Sequence, residues 1–448
     1  MTGRVVVVGA GPAGMAASRR AAEAGADVLL IDSAAQVGGQ YYRHSALGSA
    51  HGPRLHERIE HLAETTVWAI EPVGGGQRLR LQTGLADAPG RTVRTVDAEA
   101  LVLATGAYDR ALPFPGWDLP GVYTAGAAQA LAKGQRVPVG RRVLVSGTGP
   151  FLLPVARSLA DVGAHVVGLL EANHPATIVR GWRSAPLAAA VKLGEFTSYA
   201  ATLARHRIPV RTATAVIAAH GEDRLESVTV AKLDRDWNPV PGTHRRIEVD
   251  AVCIGYGFTA QLELAISAGC MLISAPDGGS AVEVAAEQQT SVPGVYAAGE
   301  LTGVAGAAPA EAEGAVAGAA ATARLGHGSG PTETERKRVA RGSQIAQALA
   351  KAYPIGPGWR TWLTGETLVC RCEEVSYDDL NRATEVAEAG RALRLTSRAG
   401  LGMCQGRVCA RTIAELTRTP LDHAAASRRP IAVPVRMRDL ASTPLEEL

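Results

Sequence analysis

Two short stretches near the end of the chain, "VCRCEEV" and "GMCQGRVC", hold Cys370, Cys372, Cys404 and Cys409, four of only six cysteines in 448 residues. Their spacing is C-x-C, a 31-residue gap, then C-x4-C. Thiols grouped in this way bind metal or do redox chemistry in a reducing compartment, whereas stable disulfides belong to oxidising ones. Structural zinc sites usually draw on C-x2–4-C pairs. A C-x-C pair is cramped for two corners of one small tetrahedron, and a [2Fe–2S] cluster, also held by four thiolates, is a larger body to grasp. The spacing therefore favours [2Fe–2S], with zinc and a degraded site as alternatives. The glycines of "GLGMCQGRVC" suit a loop whose N–H groups point at cluster sulfurs, and Arg371 and Arg407 add positive charge nearby.

A second constellation opens the chain. "VVVVGAGPAGMAASRRAAEAGADVLLIDS" reads as strand, glycine turn, helix and strand, with Gly9, Gly11 and Gly14 in G-x-G-x-x-G spacing. The first glycine permits a tight turn, the second lets the backbone approach a pyrophosphate, and the third lets helix and strand pack closely. Pro12 and Ala13 open the helix, whose free N–H groups and positive dipole end face the phosphates. The next strand ends at Asp32 and Ser33, with Asp32 at the offset of the carboxylate that hydrogen-bonds a ribose 2′-OH.

Three later stretches select FAD over NAD. "VGGQYYR" brings Gly38, Gly39 and Gln40 beside the cofactor, "LVLATGAYDR" is an apolar strand ending in Ala104, Thr105 and Gly106, and "VPGVYAAGELTG" is another ending in Gly299 and Glu300. These resemble the recurrent FAD motifs of the two-dinucleotide-domain, glutathione-reductase-like flavoproteins. The resemblance implies further cofactor contacts at Val67 and Ala307, the latter opening a helix whose N-terminus aims at the flavin pyrimidine. Glu300 stands where that class usually has Asp, one methylene shorter, to bond the ribityl chain. Tyr41 and Tyr42 read equally as neighbours of the flavin ring and as ordinary packing.

"RRVLVSGTGPFLLPVARSLADVGAHVVGLLEA" repeats the first plan. Gly147 and Gly149 match the first two glycines, and Glu171 lies 24 residues after Gly147, as Asp32 lies 23 after Gly9. Leu152 replaces the third glycine. Two readings stand: a site for NAD or another adenine nucleotide, and a duplicated domain that has lost its ligand. Glu171 favours an unphosphorylated ribose over the phosphate of NADP.

The rest of the composition sets limits. A 46% hydrophobic, 20% charged chain is globular and long enough for several cores, and a net charge of +3 without a dense Lys/Arg run excludes a nucleic-acid partner. No stretch approaches the roughly 20 apolar residues of a membrane helix. The apolar run Val5 to Val8 leads into glycines as a buried strand rather than a secretion signal, so the expected location is cytoplasmic. The first 252 residues hold no cysteine, so the active-site dithiol of the disulfide reductases is missing, and Cys253 and Cys270 read as core residues. His44, His51, His56 and His61 match no ligand spacing and read as a solvated loop and helix. Thr332 with Glu335 forms a capping box for a helix running to about Ala352.

The expected fold is α/β, with two dinucleotide-binding, Rossmann-like domains of the glutathione-reductase type. The FAD domain takes residues 1–125 and 285–325, a degenerate second nucleotide domain 126–284, a linker helix 326–355, a small [2Fe–2S] domain 356–430 and an extended tail 431–448. The cysteine unit resembles the bacterioferritin-associated-ferredoxin-like (BFD-like) domain, with a wider second pair. That pair, "TGAYDRALPFPGWDLPGVYTAGAAQ" and "GTGPFLLPVA" together resemble the alpha-type subunits of opine oxidase, hydrogen cyanide synthase and D-hydroxyproline dehydrogenase. The resemblance implies a heteromeric dehydrogenase. An amino-acid-derived secondary amine is oxidised on an FAD-containing, amino-acid-oxidase-like beta subunit, some members add a small gamma subunit, and the alpha chain relays electrons. The alternatives are a stand-alone NAD(P)H-dependent reductase and a redox or structural subunit inert without a partner. No acid/base pair or nucleophile in the sequence demands substrate chemistry of its own.

Overall fold

The computed structural model describes residues 3–43, 55–85, 88–387, 390–419 and 431–441. His44 and His51 lie outside them, as does part of the C-terminal tail.

Strand Val5–Val8 is buried at every position, as a run of β-branched residues must be when both faces of a parallel sheet are covered. It pairs with Val28–Ile31 on one side and Ala100–Leu103 on the other, and Ile59–Leu62 and Val295–Ala297 complete a five-stranded parallel sheet. Ile59–Leu62 corrects the expectation of a loop and helix around His56 and His61: "IEHL" is an edge strand paired in register with Val28–Ile31. Helix Pro12–Glu23 packs on this sheet together with helix Ala307–Arg324. Their axes approach closely because a Cβ on Gly314 would lie 2.0 Å from the Ala13 carbonyl and one on Gly318 2.2 Å from that of Ala17. An antiparallel meander, Thr65–Val73, Gly76–Thr83 and Thr92–Ala98, flanks the sheet.

The plan then recurs. Val210–Thr212, His165–Glu171, Arg142–Gly147, Ala251–Gly255 and Val122–Thr124 form a second parallel five-stranded sheet, helix Leu152–Asp161 follows the glycine turn, and a second meander spans Thr214–His220, Ser227–Lys232 and Arg245–Glu248. Cys253 is fully buried at its centre and Cys270 is buried beside the first sheet.

Helix Glu333–Ala352 begins at Thr332, whose hydroxyl accepts from Glu335 N while Glu335 returns a bond to the Thr332 N–H. A 3-10 turn, Pro357–Trp362, then seats the cysteine-bearing unit on the second sheet. Trp362 stacks on Trp237 with centroids 6.1 Å apart and donates its indole N–H to the Trp237 carbonyl at 3.1 Å. Trp237 sits at φ 74°, rare for so bulky a residue, in a turn where Asp234 accepts from the N–H groups of Asp236 and Asn238. The unit itself is a short hairpin, Leu368–Cys370 with Val375–Ser376, and helices Tyr377–Val386, Gly390–Ser397 and Ala410–Thr417. The tail is not wholly extended: Met437–Ala441 is helical, with Asp439 buried against Gln82. Among the described residues no helix is long and apolar enough to cross a membrane.

Candidate functional site

Both parallel sheets, the linker helix and the C-terminal unit border one cavity of about 1520 Å³. Gly9, Gly11, Pro12, Ala13, Asp32, Ser33, Gly39, Gln40, Thr105, Gly106, Gly299, Glu300 and Ala307 line it, as does Gly149 from the second copy. Gly14, Gly38, Val67, Gly147 and Glu171 do not. Gly14 and Gly147 act from behind the surface: a Cβ on Gly14 would lie 1.7 Å from the Gly9 carbonyl, and one on Gly147 1.8 Å from that of Gly255. Gly38, at φ 120°, turns the chain so that Gly39 meets Gly11. Val67 is buried within its antiparallel strand.

Around the first turn, the Asp32 carboxylate accepts from the N–H groups of Ala10 at 2.5 Å and Ala34 at 2.7 Å. Nothing would meet a Cβ on Gly11, so its backbone is open to the cavity. Helix Ala307–Arg324 also starts at the cavity, with Gly306 at φ 92° as its N-cap. Glu300 Oε1 accepts from the Gly306 N–H at 3.0 Å, while its Oε2 is buried and meets no partner among the described residues. Burial pushes its carboxyl up to about 7. Glu313, unremarked in the sequence, accepts from Gly299 N–H at 2.8 Å and the Thr302 hydroxyl at 2.7 Å, and burial pushes it too up to about 7. Its only signal was an acid, two residues after Glu311, on a helix otherwise built mostly of alanine and glycine.

Tyr41 and Gln40 line the cavity mouth, while the Tyr42 hydroxyl donates to Glu311 at 2.7 Å. In the second lobe Glu171 is turned inward. It accepts from Thr148 Oγ1 at 2.6 Å and from the N–H groups of Gly149 at 2.9 Å and Asn173 at 2.8 Å, and, unlike Asp32, it is buried behind the cavity wall. Lys133, Arg136 and Arg157 line that lobe instead.

The four sequence-predicted thiols adjoin one another. Cys370 ends its hairpin strand, Cys372 follows in the turn, Cys404 lies in the glycine loop and Cys409 is the N-cap of Ala410–Thr417. The Cys409 thiol donates to Cys370 across 3.7 Å and also to Cys404, and Cys372 bonds Cys404. The bond from Cys409 holds Cys370 down to about 6 and Cys404 down to about 4, while the same bonds push Cys409 up. Gly400 N–H also donates to Cys370 Sγ at 3.5 Å. Among the described residues no set of three or more His, Cys, Asp or Glu side chains is arranged to hold a metal ion.

Between cavity and cysteines runs a polar connection that the sequence did not announce. Tyr108 lines the cavity with the Arg407 charge nearby, and Arg407 donates to the Cys404 carbonyl at 3.1 Å and pairs with Glu263 at 2.9 Å. Burial pushes the Tyr108 phenol up to about 12. Arg110, two residues on, donates to both oxygens of Glu415 at 2.6 Å from helix Ala410–Thr417. Burial, then the Arg411 charge, hold its guanidinium down to about 10.

The family described as pyridine nucleotide-disulphide oxidoreductase matches residues 3–319. The HcnB component of hydrogen cyanide synthase from Pseudomonas protegens is 31% identical over 424 residues, 90% of this chain and 89% of its own. An opine oxidase subunit from Rhizobium meliloti is 31% identical over 481 residues, 98% of this chain and 87% of its own. Among solved structures, L-proline dehydrogenase from P. horikoshii has the same fold, with a TM-score of 0.69 at 19% identity over 98% of this chain and 79% of that one. The sequence relatives are named as subunits of multi-subunit enzymes, which implies partner chains. With its duplicated Rossmann-like sheets, the chain belongs to the pyridine nucleotide-disulphide oxidoreductase family, in the group of heteromeric flavoprotein dehydrogenases related to HcnB and opine oxidase, and is an FAD-dependent oxidoreductase.

Proposed function

We propose that this chain is the electron-transferring alpha subunit of a dehydrogenase that oxidises an amino-acid-derived amine, of opine, hydroxyproline, proline or glycine type, on a partner flavoprotein subunit. The observation that carries the reading is the Arg110–Glu415 bond, which joins the wall of the cavity to the helix that Cys409 caps, with Arg407 donating to the Cys404 carbonyl alongside. The first-lobe residues fit FAD. Gly9, Gly11 and the start of Pro12–Glu23 would hold its pyrophosphate and Asp32 its adenosine ribose. The unpartnered Oε2 of Glu300 would accept a ribityl hydroxyl, and the N–H groups opening Ala307–Arg324 would face the pyrimidine edge. Cys370, Cys372, Cys404 and Cys409 would hold a [2Fe–2S] cluster in a BFD-like domain, supported by the 3.7 Å approach of Cys409 to Cys370 and by a backbone N–H already aimed at the Cys370 sulfur. When bound, the flavin accepts electrons in pairs and the cluster passes them singly.

A second reading has its own support. The Gly149 lobe opens on the same cavity, so a nicotinamide nucleotide seated there could serve a stand-alone reductase. One experiment separates the two. The purified chain, assayed for FAD and iron, is mixed anaerobically with NADH and its visible flavin band followed. No bleaching within seconds, then bleaching when the co-expressed partner and an amine are added, is expected. Prompt bleaching by NADH alone would overturn the relay.

A further inference from the structure

Where the two lobes meet at the cavity mouth, cationic side chains from both come together. Arg43, Lys133 and Arg157 line the cavity, and each is at least partly exposed. Lys133 donates to the Tyr41 carbonyl at 3.0 Å and lies 5.8 Å from the centre of the Tyr41 ring, which brings a second-lobe turn onto the loop that follows Gly39. Arg43, two residues further along that loop, crosses the same turn. A Cβ on Gly134 would lie 3.2 Å from its Cδ and 3.7 Å from its Nη1. Arg157 comes from the flank of helix Leu152–Asp161, where Pro154, Arg157, Ser158 and Asp161 all line the cavity at helical spacing.

The charges here do not balance. Asp161 pairs with Arg157 at 3.7 Å, and among the described residues no carboxylate bonds Arg43 or Lys133. Burial, then the charges of Arg43 and Arg157, hold the Lys133 ammonium below its usual value, so both guanidinium groups act on one ammonium. Like charges brought together without a counter-charge are costly. The backbone is unusual at the same place. Leu131–Gln135 is a π-helical turn, closed by Arg136 at φ 57°, and Arg136 lines the cavity as well. Both conformations are sparsely populated and concentrate at functional sites. The Gly149 turn does not account for this group, because Arg157 lies about 8 Å beyond Leu152 along the helix axis and on its side.

We propose that Arg43, Lys133 and Arg157 bind a phosphate group across the junction of the two lobes, apart from the glycine turns at Gly9 and Gly149. A phosphate would supply the missing negative charge and offer acceptor oxygens to two guanidinium forks and one ammonium. The group belongs either to a free phosphorylated small molecule or to a nucleotide whose remainder sits in the Gly149 lobe, which opens on the same cavity. The site stands whether or not the cysteines hold iron, so its test needs neither amine nor partner.

The test titrates the FAD-loaded full chain with inorganic phosphate, pyrophosphate and ADP at constant ionic strength, followed by calorimetry. Saturable binding is expected, weakened about tenfold or more by Lys133→Met and by Arg43→Gln, as the loss of a charge-assisted hydrogen bond requires. Asp161→Asn, which removes the one acid of the group, should tighten binding. Phosphate or pyrophosphate binding as tightly as ADP identifies a free phosphate, and ADP binding at least tenfold tighter identifies a nucleotide. No saturable binding of any probe overturns the proposal. So does binding indifferent to the substitutions, which in the case of ADP would belong to the Gly149 turn. Should Lys133→Met lose FAD, Arg157→Gln, at an exposed position on the helix flank, decides alone.

Discussion

Gly11 and Gly14 lie three residues apart and should answer the same substitution differently. A Cβ on Gly11 would meet nothing within 4 Å, whereas one on Gly14 would lie 1.7 Å from the Gly9 carbonyl. Gly11→Ala should leave the melting of the flavin-free chain unchanged while FAD content falls at least tenfold. Gly14→Ala should lose FAD and also cost about 1–3 kcal/mol in denaturant unfolding. The buried carboxyls add a pH dependence. Glu300 and Glu313 are both raised to about 7 on folding, so between the unfolded value near 4.5 and pH 7 the folded chain holds protons that the unfolded chain has released. Their contribution to stability is therefore full at low pH and lost as pH rises through about 7. The flavin-free chain should melt progressively lower from pH 5.5 to 8 relative to Glu300→Gln, and parallel curves would contradict this. The glycine spacing and Asp32 were legible because they are local. The burial of Glu171 was not, since an offset fixes where a carboxylate starts and not whether it reaches the cavity surface, as Asp32 does and Glu171 does not. Glu313 acts on Gly299 across a fold-back that no local pattern records.

Helix Ala307–Arg324 can open at the cavity only because it crosses Pro12–Glu23 at backbone contact. Gly318→Val would drive a branched side chain into the Ala17 carbonyl, 2.2 Å from the first added carbon. The crossing should widen, with a loss of about 1–3 kcal/mol and of bound flavin together, read by unfolding and by absorbance. Thr332→Ala removes a complete capping box and should cost about 1 kcal/mol with FAD content intact, which separates helix stability from cofactor binding. That box was legible because its two partners are three residues apart. The strand Ile59–Leu62 was not: two of its four residues are polar, and what makes it a strand is the free edge of Val28–Ile31. An edge strand takes its conformation from its neighbour as much as from its own side chains.

At the scale of the molecule, the internal repeat made both Rossmann-like lobes readable, because each carries its own glycine turn between strand and helix. The seat of the C-terminal unit was invisible in one dimension, for Arg110 and Glu415 are 305 residues apart and Trp237 and Trp362 are 125 apart. Trp362→Ala should remove the stack on Trp237 at a cost of about 3–5 kcal/mol. Brief proteolysis should then cut within 353–366 while leaving the two lobes resistant, and unchanged fragments would argue against this seat. The distribution of thiols has a practical consequence as well. Cys253 and Cys270 are sealed in the lobes, Cys370 and Cys409 are buried in the C-terminal unit, and Cys372 is exposed. An alkylating reagent should thus read three separate clocks on one unlabelled, iron-free chain: Cys372 at once, its buried companions when the small unit opens, and the lobe cysteines only on global unfolding. Mass spectrometry of a single time course would give the local and global opening rates side by side, with no substitution introduced.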